Sequence, residues 1–184
     1  MTVTFADILG AARCIKGVAD ATPLVPSPFF SALAGQEVPL KLENMQPIGA
    51  FKLRGALTAM AARPDVGTLL VPLSGGGLAA GIAVAAKAID PAFRVIGISM
   101  ERGAAMFDSL KAGHPVEVEE VPSLVDSLGG GIGMVNKLSF PLCRDLLDDT
   151  VVLTEEEIYG AMQTLFCEDR IVAEGAGAGQ AIPV

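Results

Sequence analysis

The sequence predicts an α/β fold whose parallel-rich sheet is flanked by helices, and three observations carry that expectation. Short apolar runs with strand character recur at "TLLVPL", "RVIGIS" and "TVVL". Stretches of helical composition, ended by Gly or Pro, lie between and after them. "TLLVPL" also leads through "SGGG" into "LAAGIAVAAKAI", a β-turn-α unit. Strands alternating with helices pack as a largely parallel sheet under helical cover.

Taken in order, Thr4 followed by Asp7 forms a capping-box pattern that opens a helix through Ile15. Three prolines in "TPLVPSP" break it. "VPLKLE", residues 38–43, alternates apolar and polar and predicts a strand, with Pro39 placing it at an edge or a strand start. Lys52 therefore follows a strand-to-helix turn. From Lys52 to Arg63 the chain is rich in Leu, Ala and Met, a helix that Pro64 ends. The helix of the β-turn-α unit closes at Pro91; "RVIGIS" is the next strand and "AAMFDSLKAG" the next helix. "VEVEEV" alternates like a strand wet on one side, whereas "DSLGGGIGMVN" is too rich in glycine for regular structure and predicts a loop. A helix over Leu138 to Leu147 follows, then the strand in "TVVL" and a helix whose Thr154 and Glu157 repeat the capping-box pattern.

No repeat or low-complexity linker divides the chain. Its 184 residues, 51% of them hydrophobic, suffice for one core, so residues 1–184 are expected to form a single α/β domain. A net charge of −8 with no cluster of Lys and Arg argues against nucleic acid as a partner. The longest apolar run is too short to span a bilayer and contains Lys87, and the first residues lack the pattern of a secretory signal, so no membrane association is expected. Three widely spaced cysteines, Cys14, Cys143 and Cys167, fit neither a disulfide framework nor a zinc site and suit a reducing cytoplasm. His114 is the only histidine and reads as a loop residue.

Two motifs can carry chemistry. "SGGGLAAG", residues 74–81, joins an apolar strand to an alanine-rich helix. Its glycines let the backbone approach an anion, the unpaired N–H groups and dipole at the helix start favour a phosphate, and Ser74 adds a hydroxyl. A tight turn with no ligand explains the spacing equally well. Gly75, Gly77 and Ala80 also satisfy the G-x-G-x-x-G/A dinucleotide pattern, with Glu101 roughly 20 residues on where a ribose-binding acid would sit. The second motif is Lys52 itself. An amine in the first helical turn, screened by burial behind Phe51, could attack a carbonyl carbon; the competing reading is a solvated surface lysine.

The phrase "LKLENMQPIGAFKLRGA", taken with "SGGGLAAGIA" and "EGAGA", resembles the threonine/serine dehydratase family of pyridoxal-phosphate enzymes, fold type II. Within it, "GISMERGAAMFDSLKAG" and "DSLGGGIG" look most like the hydroxyectoine-utilization dehydratases. The resemblance implies pyridoxal 5'-phosphate as cofactor, held by Lys52 through a Schiff base with Phe51 packed near the ring. The backbone of Gly75, Gly76, Gly77 and Leu78 would cradle the phosphate with help from Ser74. Glu174 would lie near the ring, and the loop around Ser127 would line its other side. The implied reaction is β-elimination of water from a hydroxyamino acid, begun by Lys52 taking the Cα proton, and deamination to a 2-oxo acid and ammonia. Such enzymes are commonly homo-oligomers.

Measured against that family, the sequence has departures. The family places a small domain, on the order of 100 residues, between the lysine helix and the glycine turn; here the two meet near Ala62 to Pro64. The expected layout is therefore a segment 1–62 with the lysine motif and a segment 63–184 with the phosphate turn, the small domain being largely absent. The family's Ser-x-Gly-Asn-His loop, which holds the cofactor's 3'-oxygen and the substrate carboxylate, has no counterpart, nor does the strand that would supply a Ser or Cys to the pyridine nitrogen. Family members often carry Thr-Gly-Ser-Phe-Lys where this chain has Ile48-Gly49-Ala50-Phe51-Lys52. The metal-binding acids of the serine racemase branch fall on Ser99 and Ala105, so no metal site is expected. Without the carboxylate loop the substrate is not oriented, a loss worth several orders of magnitude in rate, so the chain alone is expected to turn over weakly or not at all. A non-catalytic assembly subunit and a dinucleotide-binding protein are the alternatives.

Overall fold

The computed structural model describes residues 4–48, 51–61, 66–168 and 170–181. Three parallel strands form the main sheet: β3 (Thr68–Pro72), β4 (Arg94–Met100) and β5 (Asp149–Leu153), in the order β3-β4-β5. Before them a short antiparallel pair, β1 (Leu24–Pro26) and β2 (Pro39–Lys41), stands apart as its own sheet. The helices are α1 (Phe5–Cys14), α2 (Pro28–Ala34), α3 (Lys52–Ala61), α4 (Gly77–Ile89), α5 (Ala105–Ala112), α6 (Ser139–Leu146), α7 (Glu155–Cys167) and α8 (Gly175–Ala178).

The central strand shows how the sequence builds the layers. A strand sends successive side chains to opposite faces. Val95 joins the cluster of Leu53, Leu57, Leu73, Phe140 and the buried alanines of α4. Ile96, Ile98 and Met100 join Val125, Leu128, Leu153 and Ile158 of α7 on the other face. Both faces are covered, which is why "RVIGIS" reads as a continuous apolar run. Gly97 sits in close packing, since a Cβ there would lie 2.8 Å from Leu73 Cδ2 and 3.3 Å from Leu73 Cβ.

Both capping boxes form: the Thr4 hydroxyl accepts from Asp7 N–H and the Thr154 hydroxyl from Glu157 N–H, with each carboxylate bonding back to its cap. "VEVEEV" does not form a strand. Val116, Val118 and Val121 are half-buried and the glutamates exposed, so the alternation marks one-sided burial. A ladder also needs a neighbour, and here Val116 N–H donates to Ser109 Oγ while Glu120 accepts from Gly131 N–H. Conversely, β1, α2 and the short helix α8 arise where no regular element was expected. The join at Ala62 to Pro64 lies outside the described residues.

Candidate active site

Residues from four separated segments meet at the carboxyl end of β3, the place where open α/β sheets bind ligands. Pro72 ends the strand and Ser74, Gly75 and Gly76 turn the chain into α4. Gly76 sits at φ +83°, a left-handed conformation open to glycine at little cost. No side chain caps α4, and its first intrahelical bond runs from Ala80 N–H to the Gly76 carbonyl. The preceding N–H groups are thereby left for a ligand or water.

Lys52 is the first residue of α3, and α3 lies against α4. Gly81 makes this approach close: a Cβ there would meet Ile48 Cδ1 at 2.6 Å and the Leu53 backbone nitrogen at 3.5 Å. The lysine is thus carried to the same opening as the glycine turn. A cleft of about 440 Å³ is lined by Lys52, Pro72, Ser74, Gly75, Gly76, Gly77, Leu78, Ser127, Leu128, Glu174 and Ala176.

Two further contacts close its wall. Glu174 is the N-cap of α8, its carboxylate accepting from Ala176 N–H and Gly177 N–H, both at 3.1 Å. Ser127 Oγ donates to the same carboxylate at 3.2 Å, tying the 126–128 turn to the 174–178 segment. Ser74 Oγ donates to the Gly129 carbonyl at 3.2 Å, so the glycine turn and the loop on the opposite wall are linked as well.

Eight of the nine residues singled out from the sequence therefore line one cleft. Phe51 does not: it is 64% exposed and absent from the wall. Lys52 is exposed too, so the expected burial behind Phe51 is not found. Gly49 and Ala50 lie outside the described residues. Glu101 follows β4, donates its N–H to the Leu153 carbonyl and is not part of the cleft wall. Among the described residues, no three His, Cys, Asp or Glu side chains gather as a metal site, and no helix is long and apolar enough to cross a membrane.

What the sequence reading missed is a polar row behind the glycine turn. Ser139 Oγ donates to the Gly75 carbonyl at 2.7 Å, Asn136 Nδ2 donates to Ser139 Oγ at 2.9 Å, and Cys143 Sγ lies 3.6 Å from the Gly76 carbonyl. Burial pushes the Cys143 thiol up to about 12, which keeps it protonated at neutral pH.

Residues 59–181 match the family model described as pyridoxal-phosphate dependent enzyme. A protein of Sinorhizobium fredii named "Putative threonine dehydratase" is 55% identical over 122 residues, covering 66% of this chain and 37% of that protein. The L-threonine ammonia-lyase of Thermotoga maritima is 39% identical over 115 residues, covering 62% and 28%. The chain thus spans about a third of the length of the curated relatives it matches. Among solved structures, the processed form of threonine deaminase isoform 2 from Solanum lycopersicum superposes with a TM-score of 0.65 at 25% identity, covering 83% of this chain and 44% of that one. Maize serine racemase gives 0.63 at 20% identity, covering 97% and 87%, a likeness of fold alone.

Proposed function

Because the chain belongs to the pyridoxal-phosphate dependent enzymes, and to the threonine/serine dehydratases among them, we propose that its cleft binds pyridoxal 5'-phosphate with Lys52 as covalent anchor and serves the dehydration of a hydroxyamino acid. The observation that carries this reading is the meeting of Lys52 with the glycine turn in one cleft. The residues fit such a group. A Cβ at Gly75 or Gly77 would meet no protein atom within 4 Å, so both leave room beside an uncapped helix start, whose N–H groups and dipole suit a phosphoryl group.

When bound, the cofactor supplies an electron sink for the charge left at the substrate's Cα. The chain's own part is positional and basic. The N–H groups of Gly76, Gly77 and Leu78 would hold the phosphoryl oxygens. Lys52 Nζ would hold the cofactor's aldehyde carbon, and the same amine would be the base for the proton on the substrate's Cα. Ser127 and Glu174 form the wall facing the ring. Phe51 serves only if it turns inward from its exposed position.

The likeness of residues 97–113 and 126–133 to hydroxyectoine-utilization dehydratases makes a hydroxyectoine-derived amino acid a substrate to test beside threonine and serine. The chain has no counterpart of the family's carboxylate-binding loop, so we expect cofactor capture with little or no release of 2-oxo acid and ammonia from this polypeptide alone. A non-catalytic subunit of the same family would show the adduct and no product.

Borohydride reduction in the presence of pyridoxal phosphate, followed by peptide mapping, tests the anchor. The expected result is a pyridoxyl group on Lys52 that is lost in Lys52→Ala. Labelling spread evenly over the exposed lysines, or unchanged in the variant, would overturn the reading. Tight NAD binding without an adduct would favour the dinucleotide alternative.

A further inference from the structure

A Gly-Gly peptide has little steric resistance to flipping, because neither residue carries a Cβ. The Gly75–Gly76 peptide is such a unit, at the heart of the proposed phosphate cradle, and its direction decides what the cleft presents. In a trans peptide the carbonyl and the following N–H point in opposite directions. With the Gly75 carbonyl turned away from the cleft, the Gly76 N–H faces it; flipped, the same peptide would set a carbonyl oxygen against an anion.

The fold fixes this choice from behind. Ser139 Oγ donates to the Gly75 carbonyl at 2.7 Å. Asn136 holds Ser139 in place: its Nδ2 donates to Ser139 Oγ at 2.9 Å and to the Ile132 carbonyl at 3.0 Å, and its Oδ1 accepts from Phe140 N–H at 3.0 Å. A Cβ on Gly76 would come within 3.2 Å of Ser139 Cβ and 3.0 Å of Cys143 Sγ, so α6 backs the turn closely.

We propose that Ser139, oriented by Asn136, is a positioning residue for phosphate capture: its hydroxyl pins the Gly75 carbonyl and thereby aims the Gly76 N–H into the cleft. This inference rests on the reading that the cleft takes the phosphoryl group of pyridoxal phosphate, and it assigns a role to a residue that touches neither cofactor nor substrate.

The test compares the affinity of the full chain for pyridoxal phosphate and for pyridoxal, which lacks the phosphoryl group, by absorbance titration. Wild type should prefer the phosphorylated ligand; a wild type with no preference would overturn the reading of the cleft itself. In Ser139→Ala the affinity for pyridoxal phosphate should fall about fivefold to tenfold, the worth of one hydrogen bond, while that for pyridoxal stays unchanged, and Ser139→Thr should restore the preference. An unaltered preference in Ser139→Ala, or an equal loss for both ligands, would show that Ser139 merely supports the fold. Should Ser139→Ala prove unfolded by circular dichroism, Ser139→Cys, similar in size but a weaker donor, must show the same selective loss, and its failure to do so overturns the proposal equally.

Discussion

Gly75 and Gly76 are neighbours in sequence with opposite surroundings. A Cβ on Gly76 would sit 2.5 Å from Met106 Cε and 3.0 Å from Cys143 Sγ, and the residue holds φ +83°. A Cβ on Gly75 would meet no protein atom within 4 Å. Gly76→Ala should therefore lose about 1–3 kcal/mol from left-handed strain and displaced neighbours. Gly75→Ala should stay within about 0.5 kcal/mol of wild type. Urea denaturation midpoints of the two variants check this, and equal midpoints would contradict the described turn. The turn at residues 74–78 was legible in the sequence because strand, glycine turn and helix start are local signals, whereas Lys52 was singled out only by the family resemblance of the phrase around it. Ser139 and Asn136 were not legible, because the serine reaches Gly75 across 64 positions of sequence, and nothing local distinguishes a hydroxyl that holds a distant carbonyl from one that faces water.

Among the elements, β2 and α3 are joined by a polar clasp centred on Glu43. Arg54, two residues past the lysine, donates from Nε to Glu43 Oε2 at 2.8 Å and from Nη2 to Oε1 at 2.9 Å, while the same Nη2 donates to the Asp20 carbonyl at 2.8 Å. Gln46, 3% exposed, bonds both the N–H and the carbonyl of Asp20. The clasp ties the first turn of α3, two residues past Lys52, to Asp20 and Glu43. The Arg54 guanidinium, helped by the Thr22 hydroxyl, holds the Glu43 carboxyl well below the usual carboxylate range. A depressed folded value means that the unfolded chain binds the proton first as pH falls. The stability lent by Glu43 is thus complete above its unfolded value near 4.5 and declines as the medium grows more acid than that. Thermal melts between pH 6 and pH 3 should show a flatter acid limb in Glu43→Gln than in wild type; parallel limbs would remove the clasp from the account. At this scale the long elements with capping boxes were legible, whereas β1, three residues that include Pro26, exists only because β2 lies beside it. Propensity cannot announce a strand whose sole support is its partner.

For the molecule as a whole, order should follow the depth of packing around β4. That strand pairs on both sides, with Val95 buried on one face and Ile96, Ile98 and Met100 on the other, and the buried alanines of α4 cover the sheet. β1 and β2 form three residue pairs with largely exposed side chains, and residues 114–138 carry one short 3-10 turn and otherwise no regular structure. Amide exchange reports local opening, which runs from near zero free energy in such segments to the global value in the core. Amides of β4 and the second half of α4 should therefore exchange slowest, those of residues 114–124 and the β1–β2 pair fastest. The cleft straddles the two regimes, for its glycine turn issues from the core whereas Ser127 stands on the open loop and meets the chain's later segment through Glu174. A ligand that bridges these walls binds the closed arrangement and stabilises it by mass action. Pyridoxal phosphate should then slow exchange at residues 126–130 and 174–178 more than in the core of α4, as read by hydrogen–deuterium mass spectrometry. Protection confined to residues 74–80 would mean that the opposite wall takes no part in holding the cofactor, and protection nowhere would remove the cleft as its site.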